Sequence, residues 1–372
     1  MKKLQNIKWS LYLPFLIIGI FTVVMFFLAD SMPRSTRTLL EEISIAILLA
    51  GSLSLVVGFL GELSLGHAGF MCVGAYLSGK VASMLVPTMG NGLLTFVIAL
   101  VVGCAAAAIC GAIIGIPALR LRGDYLAIVT LAFGEIVKSL FQNSSDESFG
   151  GTLGLDTPRY DKKYLFIIAF VLVLITLAII QNFIRSKHGR AVTAIRDNEI
   201  AAKATGINVT KYKLIAFITS AALAGVAGVL YSYSNYTVQS SKFSYNYSIE
   251  ILVMVVLGGM GSINGSIVAA VLITWLNTWL PTVLTGEMAV LQNLLYALIL
   301  IVIVIYNNAP ALKGFRDKYN LSVLADKIRR VDSSHIKDDK AKWDVVPTKI
   351  SMDEILSVDL TPQDKQNYEG DK

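Results

Sequence analysis

Successive runs of about twenty apolar residues leave this chain few folds to adopt. A run of that length crosses the ~30 Å hydrocarbon core as a helix, because lipid offers backbone N–H and C=O groups no partner and a helix satisfies them internally. Residues 11–29, 93–119, 164–184, 214–234 and 289–306 are runs of this kind. The ten-residue alternation of an outer-membrane barrel is absent. Charged residues make up 16% of the chain, against about 25% in a soluble domain, which excludes a soluble enzyme. The expected fold is an all-α integral membrane protein.

Taken in order, the apolar runs give about ten transmembrane helices, at 11–29, 43–60, 65–86, 93–118, 125–141, 164–184, 214–234, 249–260, 265–280 and 289–306. Several are interrupted. The third is rich in Gly and holds Lys80, the fifth holds Glu135 and Lys138, and the eighth is short for a full span. Broken or re-entrant helices are expected there, and inverted repeats are compatible with the order although none is visible in the sequence. Lys2, Lys3 and Lys8 precede a first run longer than a signal-peptide core with no A-x-A site after it, so that run is expected to stay as an uncleaved span. With the N-terminus inside, the cytoplasmic loops receive fifteen Lys or Arg and the external loops six, Arg34, Arg37, Arg159, Lys162, Lys163 and Lys242. Both termini are then cytoplasmic.

Three regions follow. Residues 1–42 hold the first transmembrane helix and an external loop, and 43–312 form the membrane core. Residues 313–372 form a charged cytoplasmic tail, partly disordered by composition. Cys72, Cys104 and Cys110 lie inside apolar runs and read as small buried hydrophobes. No His, Cys or carboxylate cluster has metal-ligand spacing, and no metal, cofactor or catalytic residue is expected. His67, His188 and His335 are too scattered to suggest a membrane-embedded enzyme.

The polar stretch 185–213 is too long for the ~2–8-residue connection usual between packed helices. Asp197 or Asn198 can cap a helix there, Glu199 suits its first turn, and Gly206 suits a left-handed end, giving a short helix over 198–205. Its Ile200, Ala201 and Ala204 offer a small apolar face flanked by Arg190, Arg196 and Lys203. Two readings fit: an ordinary amphipathic loop helix, or a coupling helix on the inner membrane surface that receives force from a soluble motor.

This stretch carries a resemblance. The run Gly189-Arg-Ala-Val-Thr-Ala-Ile-Arg-Asp-Asn-Glu-Ile-Ala-Ala-Lys-Ala-Thr-Gly-Ile-Asn208, followed by Lys213-Leu-Ile-Ala-Phe217 and Ser220-Ala-Ala-Leu-Ala-Gly-Val-Ala-Gly228, resembles the branched-chain amino acid ABC transporter permeases. Ser64-Leu-Gly-His-Ala-Gly-Phe70, Arg122-Gly-Asp-Tyr-Leu-Ala127, Gly150-Gly-Thr-Leu-Gly-Leu155 and Leu257-Gly-Gly-Met-Gly-Ser262 are similar to that family's blocks, in the same order. The likeness spans roughly 43–310; Ser266 stands where members usually carry Pro, and the tail exceeds the family pattern. It implies a permease subunit in a bacterial plasma (inner) membrane, the high-affinity leucine, isoleucine and valine import type. Its implied partners are a second related permease in a heterodimer, two cytoplasmic ATPase subunits, an extracellular or periplasmic solute-binding protein and membrane lipid, with no nucleic acid. Coupling to the ATPases then falls to Arg190, Ile195, Arg196, Asp197, Glu199, Ala201, Ala202 and Gly206.

Candidate pathway or helix-break residues are Gly61, Ser64, Gly66, His67, Gly69, Glu135, Gly258, Gly259, Gly261 and Ser262. Glycine clusters allow either broken helices along a solute path or tight packing. They lack the Lys-Ser/Thr of a phosphate loop. For Glu135 an ion pair with Lys138 is favoured over solute contact, and for His67 a satisfied imidazole over a proton relay. An importer for urea, short amides or other amino acids is the alternative within the class, and an ion-coupled secondary transporter, which would need more intramembrane charge, the more distant one.

Overall fold

The computed structural model describes residues 9–28, 31–121, 123–158 and 162–283, together with 298, 301 and 305. The expected span at 289–306 and the tail 313–372 lie outside the described residues, apart from those three positions. Helices dominate. In chain order they are α1 (Trp9–Leu28), α2 (Arg34–Ser54), α3 (His67–Met89), α4 (Leu93–Ala118), α5 (Asp124–Gln142), α6 (Asp146–Phe149), α7 (Lys162–Arg185), α8 (Lys187–Asp197), α9 (Glu199–Ala204), α10 (Val209–Ser234), α11 (Tyr245–Gly258) and α12 (Ile263–Val283). A π-helical turn, Leu55–Leu60, prolongs α2. Two short strands, β1 (Leu155–Asp156) and β2 (Thr237–Val238), pair antiparallel with Leu155 opposite Val238.

Six helices among the described residues are long and apolar enough to cross a membrane: Arg34–Leu60, His67–Met89, Leu93–Ala118, Leu165–Arg185, Val209–Ser234 and Ile263–Thr282. The expected ten is therefore reached only in part. The described apolar part of α1 is Ile17–Leu28, shorter than a span, and α11 is a 14-residue helix. At 1.5 Å per residue α11 covers about 21 Å, less than the ~30 Å of a bilayer core. Helix α5 has nineteen residues but carries Asp124, Glu135 and Lys138.

Helices α2 and α10 form the centre. Helix α10 packs against α2, α3 and α4, while α2 packs also against α7, α11 and α12. Small residues permit this: Ser220, Ala221, Ala224, Gly225, Ala227 and Gly228 are buried along α10. Ala221 and Gly225 meet a stripe on α4, Ala99, Gly103, Ala107 and Gly111, spaced four apart and buried, while Ser220 donates to the Ser52 carbonyl on α2 and Gly228 lies against Met71 on α3. Close backbone approach at such stripes supplies the dispersion contacts that hold helices together in lipid. The other side of α4 presents Val97, Val101, Ile109 and Ile113 outward, as hydrocarbon requires.

Candidate functional site: a helix break clamped by the segment between α7 and α10

The stretch between α7 and α10 folds as two helices. Ser186 caps α8, its Oγ accepting from the backbone N–H of His188 at 3.1 Å and of Gly189 at 3.3 Å. Asn198 then ends α8 and caps α9, its Oδ1 accepting from Ala201 N–H at 3.0 Å. Helix α9 closes in a Schellman arrangement: Ile207 N–H donates to the Ala202 carbonyl and Gly206 N–H to that of Lys203, both at 3.1 Å. This geometry puts Gly206 at φ +85°, a region where a Cβ is disfavoured. Asn208 next caps α10 by accepting from Lys211 N–H at 3.1 Å. Polar caps thus bend the chain three times within about two dozen residues, which explains why hydropathy alone marks this stretch as a loop.

Val192, Ile195 and Ala202 are buried and seat α8 and α9 on the bundle. Ile195 and Ala202, two of the coupling candidates, therefore belong to the support rather than to the outer surface. Arg190, Asp197, Ala201 and Gly206 face outward. Ile200 does so as well, 81% exposed, an apolar knob surrounded by polar groups.

Arg196 and Glu199 point the other way, into the bundle's end. Arg196 donates from Nη1 to the Gly58 carbonyl at 2.9 Å, while its Nε and Nη2 hold Asp197 Oδ1 at 3.3 and 3.1 Å. Glu199 and Glu62 share Lys213: Nζ lies 2.5 Å from Glu62 Oε1 and 3.2 Å from Glu199 Oε2. A buried lysine needs such partners, because desolvating an unpaired ammonium costs several kcal/mol. Two charge-assisted contacts thus tie α8 and α9 to the turn that ends α2.

That turn is itself a break. The π turn Leu55–Leu60 widens the end of α2, Gly61 turns at φ +78°, and Glu62 N–H closes the turn onto the Val56 carbonyl at 3.1 Å. The break between α11 and α12 is packed against it. Gly58 approaches Gly261 so closely that a Cβ on Gly58 would sit 2.7 Å from Gly261 N, and Arg196 Nη1 is 3.4 Å from where a Cβ on Gly261 would lie. Gly258 packs on Gly265, Gly259 turns at φ +90°, and Ser262 Oγ accepts from Gly265 N–H to start α12. Gly61, Gly258, Gly259, Gly261, Ser262 and Arg196 therefore meet at one end of the bundle.

Ser64, Gly66, His67 and Gly69 lie deeper, where α3 begins. His67 Nε2 pairs with Ser52 Oγ at 2.8 Å, eight residues before Leu60, so α3 starts about 12 Å inside the end of the bundle. Leu65 N–H donates to Thr130 Oγ1 at 3.0 Å, Gly66 lies against the Thr130 carbonyl, and Gly69 against Gly134. Ala68 N–H donates to Ser248 Oγ at 3.2 Å, which joins the first turns of α3 and α11. Glu135 Oε1 accepts from Tyr245 N–H at 2.9 Å, capping α11, while Oε2 pairs with Lys138 at 3.0 Å. The expected ion pair is present, with a capping role added. Sequence reading missed Lys213, Ser52, Thr130 and Ser248. For Lys213 a signal existed, a cation at the very start of an apolar run, and for Thr130 another, its place in the run Thr130-Leu-Ala-Phe133 that is similar to the family's blocks; for Ser52 and Ser248 there was none.

The sequence matches the family described as branched-chain amino acid transport system / permease component over residues 35–304. The high-affinity branched-chain amino acid transport system permease protein LivM of Escherichia coli (strain K12) is 35% identical over 278 residues, 65% of this chain and 64% of that protein. Its namesake from Salmonella typhimurium is 38% identical over 250 residues, 59% of this chain and 57% of that protein. The ribose import permease protein RbsC of Escherichia coli is 26% identical over 245 residues, 61% of this chain and 70% of that one. The chain thus spans somewhat under two thirds of the length of the LivM relatives it matches. No solved structure is significantly similar to it. The clamped helix breaks all lie within residues 35–304, and by that match the chain belongs to the branched-chain amino acid transport system permease component family.

Proposed function

We propose that the chain is the transmembrane permease subunit of an ATP-binding cassette importer for branched-chain amino acids, set in a bacterial inner membrane with both termini cytoplasmic. It performs no covalent chemistry itself. Two cytoplasmic ATPase subunits hydrolyse the nucleotide, a second related permease completes the membrane part, and a solute-binding protein outside delivers the cargo. The names of the LivM relatives support the solute class.

The observation that carries the coupling role is the clamp of α8–α9 onto the α2 break through Arg196 and Lys213. The exposed outer face of α8–α9, with Ile200 at its tip, docks on the ATPases. When they close, the displacement passes through Arg196 to Gly58 and Gly261, and through Glu199 and Lys213 to Glu62. Both breaks then change together and switch access from one side to the other. A hinge suits this task because coupling needs two packings of similar energy, not a continuously yielding core. The meeting of the starts of α3 and α11 at Ala68 and Ser248 supports a reading with inverted halves around a pathway.

Arg196→Ala tests the assignment. It removes a charge-assisted hydrogen bond worth roughly 1.5–3 kcal/mol, at a position away from the buried support. Uptake of labelled leucine by the full set of subunits is expected to fall about tenfold or more, with membrane level and ATP hydrolysis retained. Unchanged uptake would overturn the clamp's role.

A further inference from the structure

At the end of the bundle opposite α8–α9, helices α2, α10, α11 and α12 enclose a cavity of about 440 Å³, within the ~300–1,000 Å³ of small-molecule sites. Its wall is chemically divided. Glu42 from α2 and Glu250 from α11 line it, and α12 steadies both: Asn277 donates to Glu250 Oε1, and Thr278 Oγ1 lies 3.4 Å from Glu42 Oε2. Neither carboxylate has a Lys or Arg within ion-pair distance among the described residues. Lys242, from the connection before α11, also lines the cavity, its Nζ 5.6 Å from the Tyr247 ring centre and likewise without a carboxylate at ion-pair distance among the described residues. Buried Ile45 and Met254 complete the wall with apolar surface.

A cavity that gathers charges of both signs beside apolar surface, none of them in direct ion-pair contact among the described residues, offers a small polar ligand contacts at both of its ends. Two carboxylates and one ammonium line the cavity, with Lys242 acting on Glu250 only from beyond ion-pair distance, and an aliphatic side lies next to them. A zwitterion with a branched aliphatic side chain matches all three. Its ammonium would sit between Glu42 and Glu250, its carboxylate at Lys242, and its side chain on Ile45 and Met254. A free metal cation or amine would bring no anion into direct contact with Lys242. The floor is the first part of α11, where Ser248 holds the starting turn of α3, so a solute seated here is already beside the broken helices. We infer that this cavity is a low-affinity receiving site for a zwitterionic aliphatic amino acid. The inference rests on the importer reading and adds a solute site in the permease itself to it.

The complex that co-purifies with this chain, placed in lipid nanodiscs without binding protein, tests it by direct binding of labelled leucine. Saturable binding is expected, displaced by valine and isoleucine but not by isocaproate, which lacks the ammonium, or isoamylamine, which lacks the carboxylate. This comparison uses the unaltered protein, so it does not depend on any variant folding. Glu250→Gln and Lys242→Gln are each expected to weaken leucine binding about tenfold or more, since each loses a charge-assisted contact. Absent saturable binding in a complex that still drives leucine uptake overturns the receiving site and leaves the importer reading intact. Equal displacement by isoamylamine, or unchanged binding in both variants, overturns it as well. A complex that takes up no amino acid removes the importer reading itself, and the site with it.

Discussion

Lys213 bears on both the stability of the bundle and the proposed coupling. Its side chain is 5% exposed and that of Glu62 14%, whereas that of Glu199 is 37% exposed. The two halves of the bridge therefore differ in kind. Lys213–Glu62 is buried, so removing one partner leaves an uncompensated charge at a cost of roughly 3–5 kcal/mol. Lys213–Glu199 is half in solvent and contributes about 1 kcal/mol at most. Lys213→Met is expected to lower the thermal midpoint of the detergent-solubilised complex strongly, and Lys213→Met with Glu62→Leu to recover most of the loss, because an apolar pair replaces a desolvated one. Glu199→Ala should leave the midpoint nearly unchanged while reducing leucine uptake, because only that arm reaches α9. Thermal unfolding and uptake measured on the same preparations check all three, and full uptake in Glu199→Ala would remove α9 from the transmission path.

At the scale of the element, α9 is a six-residue helix that exists by virtue of its ends. Isolated helices of that length do not form in water, since nucleation is unfavourable and few bonds follow. Asn198 at the start, the Schellman closure at the end and buried Ala202 beneath hold it in place. Around Gly206 a Cβ would meet nothing within 4 Å, so substitution there is limited by backbone conformation alone. Gly206→Val is expected to strain the left-handed turn by roughly 1–3 kcal/mol and to abolish solute-stimulated ATP hydrolysis while the protein still inserts. Gly206→Asn, which tolerates that conformation, should retain most of the stimulation. ATPase assays of the assembled complex compare the two; equal loss in both would mean that something other than the turn is at stake. Asn198, offered with Asp197 as the cap, and Gly206 were legible in the sequence because capping is local chemistry. Helix α8 was not, since its buried face of Ala191, Val192 and Ile195 becomes apparent only once the bundle it packs on is known.

For the whole molecule, apolar run length located the helices well, because the cost of unpaired backbone in lipid acts on each run separately. Predicted 93–118 and observed Leu93–Ala118 coincide, and 249–260 falls on the short helix Tyr245–Gly258. Contacts between distant runs could not be read in the same way. Glu62 meets Lys213 across 151 positions, and Gly58 meets Arg196 across 138; no window of sequence contains both members. The charge asymmetry of the loops, by contrast, carries a prediction about the assembled protein. Met89 ends α3, 54% exposed, and Lys187 opens α8, also exposed. With α4, α5 and α7 each taken as a passage, as the apolar runs predict, the two residues are expected on opposite faces of the membrane. On the excess of Lys and Arg, Lys187 is expected inside. A membrane-impermeant maleimide added to intact cells is therefore expected to label Met89→Cys and not Lys187→Cys, and to label both once the cells are opened. Cys72 is fully buried and Cys104 and Cys110 are partly so, and replacing them with Ala beforehand removes their background. Labelling of Lys187→Cys in intact cells would invert the topology, placing α8–α9 out of reach of any cytoplasmic ATPase, and the coupling role would fall even though every distance in the clamp stayed as it is.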